Sequence, residues 1–348
     1  MLGVQVRDVG DTALVELPRP ECGAEGYLLR ILACAVCGTD VKIMRQGHRL
    51  VKYPVVPGHE LVGEIEAVGE RTRQRGYPFA AGDRIVMSPG MSCGRCQSCL
   101  DGHFHACTSK SGIGFHVPGG FSEYLSLPER AIYSFIKVPE SLDSVQATLM
   151  EPLACCLHGQ YKVSLGPADT VVIIGAGAIG ALHAELARVR GAARIIMADV
   201  ASEKLELVRR LNEQIVAVNS RLEEPEHVVM RETHGEGAEL VIIACPSAAV
   251  YESALRMCRS GGTVLFFSGF PGQTERLALD VNAVHYRELK ILGAFGSVKR
   301  EQLTSLELLR CQSVRTRRII THVVELAHFE EALRIIDDGR ALKLVLTM

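Results

Sequence analysis

The chain contains no tryptophan, and aromatic residues make up only 5% of it. Large apolar slots are usually lined by aromatic rings, so there is little material for a site that would take a long-chain or aromatic ligand. Long hydrophobic runs are also missing. The longest, Val171 to Leu182, is interrupted by glycines and falls short of the roughly 18 to 20 residues that a membrane-spanning helix needs. Neither sign of charge dominates: 38 Lys and Arg against 40 Asp and Glu leave a net charge of -2, which gives no basic footprint for nucleic acid or an anionic membrane. The opening stretch brings in Arg7, Asp8 and Asp11 and has no apolar core of a signal peptide, so a cytosolic chain is expected. Apolar residues themselves are not scarce. At 47% hydrophobic and 22% charged, the 348 residues can bury a core, which excludes disorder as a description of the whole and suggests two domains of ordinary size.

Cysteine is abundant, with twelve in the chain. In a reducing compartment thiols stay free and serve packing, metal binding or chemistry. Four are crowded together as Cys93, Cys96, Cys99 and Cys107, enough thiolates for a closed tetrahedral zinc site with no position left for substrate. They lie among Gly94, Arg95, Gln97, Ser98, Asp101 and Gly102, a polar loop with little core in which to bury a thiol. The expectation is a structural zinc that holds a lobe over about residues 90–110; iron also suits four sulfurs, with zinc the better match.

The chain changes rhythm near residue 150. Before that point apolar runs are short and punctuated by Gly and Pro, as in a β-rich, loop-heavy unit. Afterwards strand, turn and amphipathic helix alternate: Thr170–Gly175, Arg194–Asp199, Glu239–Cys245, Thr263–Gly269 and Lys290–Phe295 read as strands, with helices over Ile179–Arg190 and Glu203–Leu211. That alternation predicts a doubly wound parallel sheet. Near the end, Phe329, Ala332, Leu333 and Ile336 fall on one face of a helix, and Gly339 stands where a left-handed cap is favoured.

The first of these strands runs into Gly175-Ala176-Gly177-Ala178-Ile179-Gly180 and then a helix, and Asp199 ends the next strand. Gly175 permits the tight turn, Gly177 lets backbone approach a pyrophosphate, Gly180 lets the helix pack on the sheet, and the loop through Ile179 opens a helix whose free N–H groups favour phosphate. Asp199 is placed to accept from a ribose 2′-hydroxyl and to repel a 2′-phosphate. Val200, Ala201 and Ser202 follow without an arginine, so NAD is expected rather than NADP, with Lys204 the nearest cation.

A second set of ligand-type residues is dispersed: Cys37 in Cys-Gly-Thr-Asp, His59 and Glu60 in Pro-Gly-His-Glu, and Glu151 in Glu-Pro-Leu-Ala. Chemistry alone leaves this set open between a mixed metal site and unrelated core and surface residues. Taken with Gly63, Gly82-Asp83-Arg84, the four-cysteine lobe, Gly119 to Tyr124, the glycine loop and the terminal Leu342 to Leu346, the pattern resembles the zinc-containing medium-chain dehydrogenase/reductase family over essentially the whole chain. It is most similar to the polyol (sorbitol-type) and L-threonine 3-dehydrogenase branch, because Glu60 follows His59 and Glu151 stands where simple alcohol dehydrogenases carry a third, cysteine ligand.

The resemblance implies an α/β architecture: a GroES-like β-barrel catalytic domain from residues 1–153 and 293–348, and a Rossmann domain over 154–292, with the active site between them. It implies two zinc ions per chain and NAD. Cys37, His59 and Glu60 would be ligands of the catalytic zinc and Glu151 a displaceable fourth, the metal acting as a Lewis acid on an alcohol that gives hydride to the nicotinamide. Thr39 would take the hydroxyl proton first. The histidine that often ends this relay falls at Lys42, leaving His48 or water to finish it, and Lys343 would meet the cofactor pyrophosphate. Phe115 and His116 lie in a loop that borders substrate in relatives; Cys155, Cys156 and His158 read as helix residues near Glu151. The implied activity is oxidation of a secondary hydroxyl on a polyol, cyclitol or sugar derivative, vicinal diols being favoured over mono-alcohols. L-threonine 3-dehydrogenation, a general secondary-alcohol or diol dehydrogenase, and an idle relative with a structural or binding role are the alternatives. A homotetramer or dimer is implied by the family.

Overall fold

The computed structural model describes residues 1–269 and 278–348. Its contacts divide the chain into two units. The first comprises Met1–Ala154, Ser297–Gln312 and Ile320–Met348; the second comprises Cys155–Gly296 and Ser313–Ile319.

The first unit is built on a seven-stranded sheet. Its spine is the strand Gly26–Ala35, buried along most of its length, which pairs antiparallel with Glu60–Val68, Tyr124–Pro128 and the terminal strand Lys343–Thr347. Glu60–Val68 continues to Arg84–Met87 and then Phe135–Lys137, while Lys343–Thr347 pairs parallel with Ile320–Glu325. Leu29, Ile31, Leu61, Ile65, Ile85 and Phe121 fill the core of this unit, so the chemistry-bearing residues at the strand ends rest on a rigid apolar base. The helix Phe329–Asp337 buries Phe329, Ala332 and Ile335 against the same core, with Leu333 and Ile336 beside them. Gly339, at φ 65°, follows in the left-handed region that lets the helix stop.

The second unit holds a six-stranded, wholly parallel sheet. Its spatial order is Ile215–Asn219, Arg194–Asp199, Thr170–Ile174, Ala238–Ile243, Cys258–Phe266, Lys290–Gly293, the 3-2-1-4-5-6 arrangement of a dinucleotide-binding fold. Thr170–Ile174 is buried throughout, as a central parallel strand covered on both faces must be. Ile215–Asn219 was not among the expected strands. It is a short edge element in which only Ile215 and Val218 are buried, too little apolar sequence to stand out.

The expected boundary at residue 293 needs two corrections. Residues 293–296 stay with the second unit, where Lys290–Gly293 pairs with Cys258–Phe266. The segment Ser313–Ile319 also belongs there: Arg315 donates through Nη2 to the buried Glu185 carboxylate at 2.5 Å, and Arg318 Nη1 donates to the carbonyls of Arg210 and Leu211, the latter at 2.9 Å. Glu185 sits on the helix Ala178–Val189 and is almost fully buried, so this pairing keeps an ionised carboxylate inside the unit tolerable.

Another polar group in that core has no charged partner. His183 is fully buried, with Gln160 Nε2 3.2 Å from its Nδ1 and the ring edge-on to Phe267. Burial pushes its imidazole down to about 3.

Candidate active site and cofactor loop

In the first unit, Cys37 ends the segment after the spine strand and caps the helix Gly38–Arg45. Asp40, at the third helical position, reaches back to accept from the Cys37 backbone N–H at 2.9 Å, closing a capping box. The same carboxylate accepts from Gly58 N–H at 3.1 Å and lies 3.0 Å from His59 Nδ1. One buried acid thus fixes the thiol's turn, the loop before the histidine, and the histidine ring. A proton on His59 Nδ1 directed at Asp40 leaves Nε2 as the free ligand nitrogen.

His59 and Glu60 enter as the strand Glu60–Val68 begins, and both are buried. Ligand atoms of Cys37, His59 and Glu60 all lie within 4.8 Å of one another. The donor set suits zinc: one sulfur, one imidazole nitrogen and one carboxylate. Neither buried oxygen of Glu60 has a hydrogen bond of ordinary geometry, and its charge is met by the buried ammonium of Lys343. Burial works against the charged form of His59, but the Asp40 carboxylate outweighs it and holds the imidazole well above its usual range. Asp40 responds in the opposite sense: burial opposes its charge, and His59 keeps it below the usual carboxylate range.

Lys343, expected to meet the cofactor pyrophosphate, has its ion-pair partner in the metal group. It is buried in the terminal strand with its ammonium 2.5 Å from Glu60 Oε2. Burial lowers its affinity for the proton, yet Glu60 and then Cys37 hold it above its usual range. It meets the metal group because the terminal strand runs antiparallel to Gly26–Ala35 and so begins next to Cys37.

Glu151 stands in the first turn of the helix Met150–Gln160, half-buried, outside the group of three. Thr39 is half-buried at the second position of the helix that Cys37 caps. Phe115 packs its ring 5.1 Å from that of His59 and 5.4 Å from that of His48, which makes it a wall of the site. Asp40 is the functional residue that sequence reasoning left without a role. Its signal was present in the Cys-x2-Asp spacing, an acid at the third position of a helix whose cap is a metal ligand.

The four cysteines also come together. Strands Gly90–Met91 and Ser111–Gly112 pair at the base of the lobe, and Gly94 and Gly102 turn through positive φ between the ligands. All four Sγ atoms lie within 4.8 Å of one another, Cys96 to Cys99 at 3.5 Å. Backbone N–H groups point at the sulfurs, from Cys96 to Cys93 and from Cys93 to Cys107, each at 3.4 Å. Such bonds favour thiolate: N–H groups of Thr108 and Cys99 bring the Cys96 thiol down to about 6. Little apolar packing supports the lobe, for Leu100 is 69% exposed and Phe104 37% exposed.

In the second unit, Gly175 turns at φ 112°, where a side chain would be strained and would press on the Ala244 carbonyl. A Cβ at Gly180 would collide with the Gly175 carbonyl oxygen, so the helix can pack only with glycine there. A Cβ at Gly177 would meet nothing within 4 Å, leaving open space over the backbone where a pyrophosphate belongs. Ile179 is half-buried in the first turn of the helix Ala178–Val189. Asp199 ends its strand beside this loop, accepting from Ala176 N–H at 2.7 Å and from Ala201 N–H at 2.9 Å. Its carboxylate therefore braces the glycine loop and still has lone pairs for a ligand hydroxyl.

Residues 23–140 match the alcohol dehydrogenase GroES-like domain, and residues 178–310 match the zinc-binding dehydrogenase family. The L-threonine 3-dehydrogenase of Aeromonas salmonicida (strain A449) is 30% identical over 339 residues, 96% of this chain and 95% of that protein. D-arabinitol dehydrogenase 1 of Uromyces fabae is 26% identical over 336 residues, 96% of this chain and 93% of its own. A crystal structure from Sinorhizobium meliloti 1021, named as a zinc-binding dehydrogenase bound to NADP, superposes with a TM-score of 0.87 at 28% identity, covering 100% of this chain and 99% of that one. With both family domains in register and a relative at this identity along nearly its whole length, the chain belongs to the zinc-containing medium-chain dehydrogenase/reductase family of oxidoreductases, in its threonine and polyol branch.

Proposed function

We propose that this dehydrogenase oxidises a secondary hydroxyl of a polar, polyhydroxylated substrate, a sugar alcohol, cyclitol or sugar derivative, with NAD as the acceptor. The observation that carries this reading is the carboxylate in the metal group: Glu60 stands beside one thiolate and one imidazole, and Glu151 is the further carboxylate of this reading. Acceptors of this kind suit a substrate with neighbouring hydroxyls, and a mono-alcohol would leave some of them unpaired. Cys37, His59 and Glu60 would hold the catalytic zinc, with Glu151 a displaceable fourth ligand, and Cys93, Cys96, Cys99 and Cys107 would hold a second zinc. Zinc held at the first group would supply Lewis-acid polarisation of the hydroxyl, and NAD held on the glycine loop would supply the hydride acceptor.

The chain's own residues do the rest. Asp40 fixes the tautomer and direction of His59. Thr39 receives the hydroxyl proton, which continues by way of His48 or water because Lys42 stands where a relay histidine would be. Gly177 leaves room for the pyrophosphate, and Asp199 accepts from the 2′-hydroxyl while repelling a 2′-phosphate. NADP in the Sinorhizobium structure makes this the point to test. Asp199→Ala should weaken NAD binding and relax discrimination against NADP, read as kcat/KM for each cofactor; equal use of both by the wild type would overturn the NAD assignment.

For the substrate, sorbitol or xylitol, myo-inositol, 2,3-butanediol, L-threonine and 2-butanol compared side by side by NADH absorbance decide the matter. Diols and polyols should exceed 2-butanol, whose success would overturn the reading. L-threonine is the second reading, favoured by the 30% identity to L-threonine 3-dehydrogenase. Loss of zinc with no turnover of any substrate would mark an idle relative. A cytosolic homo-oligomer, dimer or tetramer, completes the proposal, with sedimentation as its check; among the described residues no helix is long and apolar enough to cross a membrane.

A further inference from the structure

A cavity of about 690 Å³ opens in the first unit, and Phe115, whose ring packs 5.1 Å from that of His59 in the metal group, is part of its lining. Leu17, Val55 and Val117 are among its apolar lining, and the basic side chains that line it are Arg49, Lys52 and His116. No acidic side chain lines it. That imbalance stands out in a chain of nearly neutral charge, where nearby arginines are paired, Arg19 with Glu66 and Arg45 with Asp337. Arg49 and Lys52 have no hydrogen bond or ion pair among the described residues. His116 accepts from Gly112 N–H through Nδ1 at 3.0 Å, so its Nε2 carries the proton and is a donor. His48, which stacks with Phe115, lies in the same field: burial and then the charges of Lys42, Arg49, His59 and His116 hold it below its usual range. Like charges gathered without acids repel one another, and this arrangement stabilises only what brings the opposite charge.

We infer that the substrate carries an anionic group, a phosphate monoester or a carboxylate, which Arg49 and Lys52 bind with His116 as a further donor while the hydroxyl to be oxidised faces the metal group past Phe115. This rests on the dehydrogenase reading above and narrows it. A guanidinium and an ammonium on one loop offer charge-assisted hydrogen bonds that a neutral polyol cannot use fully. Phe115 and the apolar lining suit the C–H face of a sugar chain.

Two matched pairs test it on the zinc-loaded full chain: sorbitol 6-phosphate against sorbitol, and L-threonine against threoninol. In one pair the member that carries the phosphate or carboxylate should have kcat/KM about tenfold or more above the partner that lacks it, the size of one or two charge-assisted bonds. The pair that shows it separates phosphate from carboxylate. In the double variant Arg49→Gln, Lys52→Gln the ratio should collapse toward one, chiefly through KM, and in the wild type it should shrink as salt rises. Equal or reversed preference in both pairs, or a preference that survives in the variant, overturns the inference while leaving the dehydrogenase reading in place. Should no substrate be turned over, calorimetric binding of the same four compounds decides: tighter binding of a member that carries the phosphate or carboxylate, lost in the variant, supports the anion site even as the dehydrogenase reading fails, and its absence overturns the site.

Discussion

The two candidate metal groups of this protein are made in opposite ways. The four-cysteine lobe draws all its ligands from one short stretch, carries exposed Leu100 and Phe104 on its surface, and has backbone N–H groups as its main support. The Cys37, His59 and Glu60 group is collected from a helix cap and the start of a strand, has two of its three residues buried, and has charged company in Asp40 and Lys343. The difference separates holding from working. A lobe with little apolar packing depends on its metal to stay folded, whereas a group resting on a finished core would survive metal loss and can use the ion for chemistry.

The largest effect should come from breaking the lobe. Cys96→Ser removes a ligand whose site supplies an apparent binding energy on the order of 10 kcal/mol, so the lobe should unfold, with one zinc lost, a lower Tm and early proteolysis near residue 100. Cys37→Ser should lose one zinc and turnover while keeping its Tm within a few degrees. Equal Tm losses in the two variants would erase the distinction.

Lys343 offers the next test. In metal-free protein its ammonium is the counter-charge of Glu60, and Lys343→Met would leave a buried carboxylate unpaired at a cost of about 3 to 5 kcal/mol. With zinc in place the ion takes over that task and the cost should be much smaller. Denaturant unfolding of both proteins, with and without zinc, measures the gap; identical losses in the two states would show that Lys343 does not stand in for the metal.

A smaller effect is expected at Asp40. Asp40→Asn keeps the shape but weakens the hold on His59, and a supporting carboxylate of this kind is worth about 10- to 100-fold in metal affinity. Chelator competition should show the loss at one site only, the four-cysteine zinc being unmoved. Loss at both would mean a general loosening of the unit.

The smallest concerns burial without a charged partner. His59 and His183 are both buried, but His183 has an amide where His59 has a carboxylate. With its folded value near 3 and an ordinary value of about 6.5 when unfolded, His183 contributes stability that is present above pH 6.5 and is lost as pH falls toward 3. Between pH 6.5 and 5 that amounts to about 2 kcal/mol. The acid slope of stability should flatten in His183→Phe; an unchanged slope would remove His183 from the account.

Much of this was readable in the sequence, for local reasons. The strand Arg194–Asp199, the glycine loop and the four-cysteine spacing depend on residues close together in the chain, so pattern was enough. The short edge strand Ile215–Asn219 was not, because only Ile215 and Val218 of its five residues are buried. The ion pair of Lys343 with Glu60 was hidden for a related reason: a lysine in an apolar tail shows no partner until the pairing of Lys343–Thr347 with Gly26–Ala35 carries it beside Cys37. Asp40 was visible as part of a motif, but its bonds to Gly58 and His59 arise only when two distant segments meet.

The return of Ser313–Ile319 to the second unit has a practical consequence for anyone who would cut the protein apart. The chain passes between the units at residues 154, 296, 312 and 319, so no single cleavage releases either one whole. A fragment ending at Gly296 would carry the parallel sheet but not Arg315, and Glu185 would keep only Arg188 as a cationic partner in its interior. Isolated expression of the cofactor-binding half therefore calls for a graft of the 313–319 segment or a neutral residue at 185.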